Sequence, residues 1–432
     1  MLFLLGPILI YSKAVACSSL SSNSNDKQKP CFAKDFENNR RRTLIDRDGT
    51  CGTNLTYSFK SATGTITISG TGKMTDYNHG EDPPWYKWRF QIKHIIIQTG
   101  VTSIGNQAFG GSSTTSISLP EGLISIGSTA FSSNPFYDHI TIPSTVKYIG
   151  NSAFSYSDSL QSVEIKSYYC LKNFRQIFTL KNIKNVTISG QITSIPEYAF
   201  QSCVALTTIN FGSVTSIGAL AFSFCSSLKS IIIPENITYI GENAFISCSS
   251  LTTVTIPDKV KTIETGAFHQ CQNLESINIS ENNDYYKSLN GILFLKNGSS
   301  LIKYPPMIKD NNYTIPDNVI TISKYAFYQC QYLESIIIPD GVTNIGEKSF
   351  YDCNSLKSII IPDSVNQIGT HAFSDCDSMT VIEVSENNPN FASFNKILYN
   401  KEFTMIIGIP RGIVGNITLH DNLETIEKGA FY

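Results

Sequence analysis

Seven cysteines recur at one position of a repeated motif in this chain of 432 residues. Each follows a phenylalanine by three residues, as in the Ala-Phe-x-x-Cys segments that end at Cys248 and Cys271. Thiols placed this regularly could bind a metal, form disulfides, act in redox chemistry or pack in a core. The set comprises Cys203, Cys225, Cys248, Cys271, Cys330, Cys353 and Cys376.

The spacing of these cysteines favours a structural core ladder over a reactive site. A zinc site needs several ligands in one cluster, whereas the motif supplies one thiol per repeat and contains no Cys-x-x-Cys pair. Neighbouring helices keep their axes about 8–10 Å apart, beyond the Cα separation of about 7 Å that a disulfide spans. Earlier repeats place Ser112, Asn134 and Ser157 at the same position, so a thiol is not required there. We therefore predict buried small side chains.

Other residue types that carry catalysis are few and scattered. The six histidines belong to no triad motif and to no metal-ligand spacing, and no phosphate-binding glycine pattern is present. His269 lies near Cys271, but only one repeat has a histidine there. We predict a protein that is not an enzyme, with no catalytic residue, no metal and no cofactor.

The charge content argues against a nucleic-acid partner. Charged residues make up 16% of the chain, against about 25% in an average globular protein, and the net charge is −2. Nucleic-acid binding needs a concentrated basic face, and the one basic run, residues 40–42, lies in polar sequence typical of a linker. We predict no nucleic-acid partner.

A 23-residue period organises most of the chain. Ala-Phe pairs recur at steps of 22 or 23 residues, with one double step of 46 residues and two longer gaps that each contain an insertion. Within one unit, Ile240, Ala244, Cys248 and Leu251 follow helical spacing, and residues 252–256 alternate as in a strand. The position after the isoleucine is often glycine, as at Gly241, but proline and glutamate also occur there, which indicates a helix start rather than a positive φ.

Units this short cannot bury their apolar residues alone and must stack into a solenoid. We predict an α/β to mainly β fold: a curved solenoid with a parallel sheet on its concave side and short helices opposite, since strands pack more closely than helices. The predicted domains are a β-rich N-terminal cap over 49–93 and the solenoid over 94–432. Hairpin insertions are expected near 281–313 and 386–413.

The N-terminus predicts secretion or display at the cell surface. Residues 1–16 combine a short apolar run with a small-x-small cleavage site, as in a signal peptide, and a polar, disordered linker is expected over 17–48. No later segment is apolar enough to span a membrane. In a secreted chain, Cys31 and Cys51 are candidates for a disulfide. Glycosylation sequons occur at Asn54, Asn185, Asn236, Asn278, Asn297, Asn312 and Asn416.

The repeats resemble the BspA-like leucine-rich repeat surface antigen family. The resemblance is carried by LKSIIIPENITYIGENAFISC at 228–248 and LESIIIPDGVTNIGEKSFYDC at 333–353, and it covers about residues 50–432. The two insertions resemble the hairpin variant of that family. The resemblance implies a non-enzymatic secreted or surface protein that adheres to host matrix proteins, host cells or other microbes. The alternatives are the ectodomain of a recognition receptor or a purely structural surface protein.

Three surfaces could carry binding of a protein or glycan ligand. The first is the insertions, with Tyr285, Tyr286, Phe391 and Phe394 as candidate contacts. The second is the final repeat, which lacks a polar cap and could associate with another molecule. The third is the concave face, whose outward strand positions include Thr141, Glu164, Thr187, Asn210, Ile232, Thr255, Asn278, Ile337, Ile360 and Glu383.

Overall fold

Two strands per repeat build the fold, which a computed structural model describes over residues 45–78, 81–136 and 139–431. The predicted signal peptide over 1–16, most of the predicted linker over 17–48 and Cys31 lie outside the described residues. The solenoid unit begins at Asp46.

The first strand of each repeat alternates buried and outward residues, as its period-two pattern dictates. These strands pair in parallel and in register one repeat apart, so that Ser162 lies opposite Asn185. They are His94–Ile97, Ser116–Ser118, Ile140–Ile142, Ser162–Ile165, Asn185–Ile188, Thr208–Asn210, Ser230–Ile232, Thr253–Ile256, Ser276–Ile279, Asn312–Thr314, Ser335–Ile337, Ser358–Ile361 and Val381–Val384.

A second strand follows in most repeats and pairs in parallel with its counterparts, whereas the repeat that begins with Ser162–Ile165 has two short helices instead. Proline or a turn separates the second strand from the first, because proline cannot donate to a continuing ladder. These strands are Val101–Ile104, Ser125–Ile126, Tyr148–Ile149, Ser194–Ile195, Ser216–Ile217, Tyr239–Ile240, Thr262–Ile263, Thr321–Ile322, Asn344–Ile345, Gln367–Ile368 and Thr425–Ile426.

An antiparallel meander precedes the repeats. Arg47–Gly52, Leu55–Lys60 and Thr65–Gly70 pair antiparallel, and the last of them pairs in parallel with His94–Ile97. The strand Gly72–Lys73 and the 3-10 helix Tyr86–Gln91 complete this region. The meander thereby supplies hydrogen-bond partners to the first edge of the repeat sheet.

Two insertions interrupt the repeats, and each consists of three antiparallel strands that we call a hairpin. The first comprises Tyr286–Leu289, Ile292–Leu295 and Ser300–Lys303, and the second comprises Phe391–Phe394, Ile397–Asn400 and Met405–Gly408. Their registers are equivalent, with Leu293 opposite Lys303 in one and Leu398 opposite Gly408 in the other. In both, the third strand joins the ladder of second strands.

The segments opposite the strands differ in detail from the predicted short helices. Among the described residues, α-helices occur only at Tyr168–Lys172 and Phe174–Ile177. Elsewhere the chain forms turns in which two residues per repeat have positive φ, such as Asn243 at 53° and Ser247 at 60°. An α-helix requires φ near −63° at every residue. A residue with positive φ therefore ends the helical conformation within about one turn.

Glycine recurs after the second strand because neighbouring repeats approach closely there. Gly241 does not have positive φ, as predicted, but a Cβ on it would lie 2.5 Å from the backbone nitrogen of Ala219 in the preceding repeat. A close backbone approach of this kind is a use of glycine that is independent of turn geometry.

Two stacks of aromatic rings run through the turns, from Trp85 to Phe268 and from Tyr304 to Phe373. Trp85 stacks on Phe109 at 4.9 Å between ring centroids, and Phe222 stacks on Phe245 at 5.1 Å. Buried residues form three clusters that meet at the hairpins, spanning Cys51 to Leu293, Ile292 to Leu398, and Ile397 to Ala430. The predicted solenoid with parallel sheets is confirmed, and it comprises about fourteen turns.

Candidate binding surfaces

The outward positions of the first strands, which we call the strand face, form straight rows across the sheet. Thr141, Glu164, Thr187 and Asn210 lie directly opposite one another in successive strands. The same register aligns Ile232 with Thr255 and Asn278, Thr314 with Ile337, and Ile360 with Glu383. The first strands therefore bring all ten predicted strand-face residues to equivalent outward positions, in four groups.

Three isoleucines are the most exposed apolar residues among those predicted for this face. The exposed fractions are 75% for Ile232, 61% for Ile337 and 57% for Ile360. Threonine, asparagine or glutamate occupies the same position in other repeats, so the strand does not need isoleucine there. Scattered single apolar residues are ordinary on protein surfaces, but these three share one register position.

Glu164 is largely committed to contacts within the sheet. Its carboxylate accepts hydrogen bonds from Ser189 Oγ at 2.8 Å and from Thr141 Oγ1 at 2.9 Å, and Lys166 Nζ lies 4.0 Å away. The Ser189 hydrogen bond is the main cause that lowers the pKa of Glu164. This residue is therefore a less available ligand contact than Glu383, which is exposed.

The predicted insertion contacts differ in their availability. Tyr285 is exposed, whereas Tyr286 and Phe391, at equivalent positions of the two hairpins, are buried. Tyr286 OH accepts a hydrogen bond from the Ile263 amide at 2.8 Å, and Phe394 packs edge-on against His420 at 5.1 Å. Packing against the solenoid buries Tyr286 and Phe391 and leaves Phe394 half-buried, so Tyr285 is the most exposed of the four candidate contacts.

Two buried asparagines anchor the insertions and were not identified from the sequence. Asn283 Nδ2 donates to the Pro257 and Val260 carbonyls, and its Oδ1 accepts from the Tyr285 and Tyr286 amides at 2.8 Å. Asn388 makes the equivalent four bonds in the second insertion. The signal was the repeated Ser-Glu-Asn-Asn segment at 280–283 and 385–388.

The ladder cysteines share a hydrogen bond that the sequence did not reveal. All seven are buried, and in six of them the thiol donates to the carbonyl oxygen at the aromatic position of the preceding repeat. Cys248 Sγ, for example, lies 3.2 Å from Phe222 O. The six are Cys225, Cys248, Cys271, Cys330, Cys353 and Cys376.

Asn134 makes the equivalent contact with an amide in an earlier repeat. Its Nδ2 donates to Phe109 O at 2.8 Å, replacing the thiol contact of the later repeats.

Burial raises the pKa of the Cys203 and Cys271 thiols, the latter to about 12. Thiolate is the reactive form of cysteine, so burial favours the unreactive protonated form of these two thiols at neutral pH. Cys51 is also buried, and its predicted disulfide partner, Cys31, is outside the described residues.

All seven sequon asparagines are exposed. Asn278 lies on the strand face beside Thr255, and Asn185 and Asn312 begin first strands. A glycan on Asn278 would therefore occupy part of the strand face.

In the part of the chain that the structure describes, no three His, Cys, Asp or Glu side chains come together in a way that could hold a metal ion. None of the described helices is long and apolar enough to cross a membrane.

Stacked parallel strands in repeats of about 23 residues define this protein as a leucine-rich repeat solenoid. The model of the BspA type leucine-rich repeat region matches residues 85–177, 172–290 and 308–406, in six copies. The chain belongs to that family, which confirms the resemblance found in the repeats.

Several solved structures are similar to this chain. A leucine-rich repeat protein from Eubacterium ventriosum is 23% identical, with 90% of this chain and 94% of that chain covered and a TM-score of 0.41. A leucine-rich cell surface protein from Faecalibacterium prausnitzii is 22% identical, with 89% and 95% covered and a TM-score of 0.41. The pneumococcal vaccine antigen PcpA is 19% identical, with 80% and 83% covered and a TM-score of 0.31. No curated protein matches the chain.

Proposed function

We propose that this protein is a non-enzymatic, secreted or surface-displayed adhesion protein that binds a protein ligand through its strand face. The observation that carries the proposal is the aligned exposure of Ile232, Ile337 and Ile360. Each projects from a strand whose flanking residues are buried, so its direction is fixed before binding. Apolar groups held in this way lose little conformational entropy when a partner covers them.

A protein ligand suits this surface better than a polysaccharide. Ile337 and Ile360 lie on neighbouring first strands. Thr314 lies opposite Ile337 and Glu383 lies opposite Ile360, on the strands to either side. Burying exposed isoleucine against another apolar side chain stabilises a complex by about 1.5–3 kcal/mol for each fully covered residue. The surrounding hydroxyl and amide groups supply the polar rim that protein interfaces have.

Secretion and surface display rest on the sequence of residues 1–16 and on the family to which the repeats belong. Protease treatment of intact producing cells, followed by detection of the protein, tests this part. Loss of the protein under conditions that spare cytosolic markers is expected. Full retention in protease-treated intact cells, with release only on lysis, would contradict it.

Binding of the purified protein to immobilised host matrix proteins tests the strand face. The variant Ile232→Thr/Ile337→Thr/Ile360→Thr keeps β-branched residues in the strands, so it should fold while losing at least about tenfold in affinity. Val414→Thr is the matched control, because Val414 is exposed and lies outside the first strands. Equal binding by both variants would exclude the three isoleucines as the contact surface.

A further inference from the structure

A cavity of about 230 Å³ lies where the first hairpin meets the repeats on either side. Its walls include His269 from the repeat before the hairpin, Lys303 from the hairpin and Tyr325 from the repeat after it. Three separate parts of the chain therefore meet around one cavity that is partly open to solvent.

The cavity arises because the hairpin interrupts the stacked turns. In regular repeats the phenylalanine amide donates to the next repeat, as from Phe245 N to Ala267 O at 2.8 Å. Among the described residues no hydrogen-bond partner is found for the Phe268 amide, and the ring contacts do not continue from Phe268 to Tyr304. The space left by the missing turn is the cavity.

Lys303 places a primary amine in this space. The residue is only 6% exposed, and its Nζ donates to the Tyr325 carbonyl at 3.2 Å. An ammonium group has three donors, and Lys303 is absent from the ion pairs of the described residues. Buried cationic groups in proteins are ordinarily paired with an anion. Burial accordingly lowers the pKa of Lys303.

His269 adds an unpartnered nitrogen to the same wall. The residue is 7% exposed, and its Nδ1 is buried without a hydrogen-bond partner among the described residues. The imidazole stacks on Tyr325 at 3.8 Å between centroids, which fixes the plane of the ring. Unsatisfied buried polar atoms are uncommon in folded proteins, and each calls for a ligand, a water or another explanation.

Charges around the cavity are predominantly positive. Lys324 and Lys348 act on His269 together with Lys303. The acidic groups nearby are Glu264, which is exposed at the cavity, and Glu347, which pairs with Lys324 at 2.9 Å. Apolar side chains form the rest of the lining, including Leu293, Leu295 and Ile302.

The second hairpin shows that the fold does not require these polar groups. There, Gly408 stands at the position of Lys303, Ser374 at that of His269 and Gly429 at that of Tyr325. The equivalent cavity has a volume of only about 10 Å³. One insertion therefore closes without a buried amine or imidazole, while the other encloses both.

We propose that the cavity at the first hairpin binds a small organic carboxylate. The carboxylate would pair with Lys303 Nζ and accept from His269, and its hydrocarbon part would lie against Leu293 and Ile302. A volume below the approximately 300–1,000 Å³ of drug-sized sites limits the ligand to a small molecule. This inference goes beyond the proposed function and does not depend on it, because the cavity is separate from the three isoleucines.

Benzoate and hexanoate are suitable probes, with benzyl alcohol as the neutral analogue of benzoate and inorganic phosphate as an anion without an apolar part. Calorimetric titration of the full chain should give a dissociation constant for at least one carboxylate and none for benzyl alcohol or phosphate. Lys303→Met should weaken carboxylate binding by about 10- to 100-fold, as expected for loss of a charge-assisted hydrogen bond. Lys309→Met is the control, since Lys309 is exposed and does not line the cavity.

Acylation of the wild-type protein gives a second measurement that does not depend on a variant folding. Benzoate should slow modification of Lys303 and leave Lys309 unaffected, as followed by peptide mass spectrometry. The proposal is overturned if no carboxylate binds the wild-type protein at ligand concentrations up to about 10 mM, since no binding at that concentration means a dissociation constant well above about 10 mM. Equal affinity in Lys303→Met, or equal binding of benzyl alcohol, would also overturn it.

Discussion

The Cys248 thiol donates a hydrogen bond to the Phe222 carbonyl oxygen, 3.2 Å away in the preceding repeat. This bond links successive turns at a point where both partners are buried. The same bond recurs in six of the seven ladder cysteines, and Asn134 makes it with an amide that donates to Phe109 O. Ser157, at the same position, has a buried hydroxyl without a hydrogen-bond partner among the described residues, so the position accommodates a donor without requiring the bond.

Replacing Cys248 tests whether the donor is what matters. Cys248→Val keeps the size of the side chain but removes the thiol donor, and the Phe222 carbonyl keeps only its hydrogen bond from the Cys225 amide at 3.2 Å, so unfolding free energy should fall by about 0.5–1.5 kcal/mol. Cys248→Ser retains a donor and should cost less than the valine variant. Chemical denaturation measures both. A valine variant as stable as the serine variant would show that packing alone defines the position.

Gly241 should be intolerant of a side chain. The Cβ of Gly241→Ala would lie 2.5 Å from Ala219 N, and relief of that overlap requires a backbone shift that should cost about 1–3 kcal/mol. Glu264→Ala is the matched control, because Glu264 already carries a Cβ at the same position of the next repeat. Thermal unfolding of both proteins provides the comparison, and a shift in the control as large as that in Gly241→Ala would refute the explanation.

Asn283 should be among the most sensitive polar positions. Asn283→Ala removes four hydrogen bonds and leaves the Pro257 and Val260 carbonyls unpaired inside the protein. We expect a loss of about 2–5 kcal/mol in unfolding free energy. Its exposed neighbour provides the control, since Asn282→Ala should change stability by less than about 0.5 kcal/mol. Similar losses in the two variants would argue against the anchoring role.

His269 should make stability depend on pH. Burial, followed by the charges of Lys303, Lys348 and Lys324, lowers its pKa to about 3 in the folded protein. Its unfolded pKa is near 6.5, so protonation favours the unfolded chain. The contribution of His269 is complete above pH 6.5 and is lost as pH falls toward 3, by up to about 4 kcal/mol.

His269→Ser isolates this contribution, because serine occupies the equivalent position, Ser374, in the second insertion. Urea denaturation between pH 7 and pH 4 should show a shallower loss of stability in the variant than in the wild type. Parallel pH profiles for the two proteins would mean that the imidazole titrates normally in the folded state.

The sequence predicted the solenoid because its signals recur many times. The alternation at 252–256, for instance, is repeated in unit after unit. The turn conformation was not predictable, because the spacing of Ile240, Ala244 and Cys248 suits a helix as well as a turn that buries the same side. Asn243 and Ser247 have positive φ although neither is glycine, so their residue types did not indicate the turn.

The strand face was predictable from the sequence, whereas the cavity was not. Register follows directly from the repeat period, so the aligned row that contains Ile232 was accessible from the sequence. His269 and Lys303 are 34 residues apart and belong to different elements. They meet only because the hairpin replaces one stacked turn, and no local pattern encodes that juxtaposition.

Each hairpin also separates two buried clusters, and the ring stack does not cross the first of them. In a solenoid, each repeat is stabilised by its contacts with the neighbouring repeats. The boundaries between clusters at the hairpins therefore divide the chain into blocks that unfold at different free energies. Under a pulling force at an attached surface, the chain would lengthen one block at a time and dissipate work at every step. The blocks that had not yet opened would keep their strand face intact.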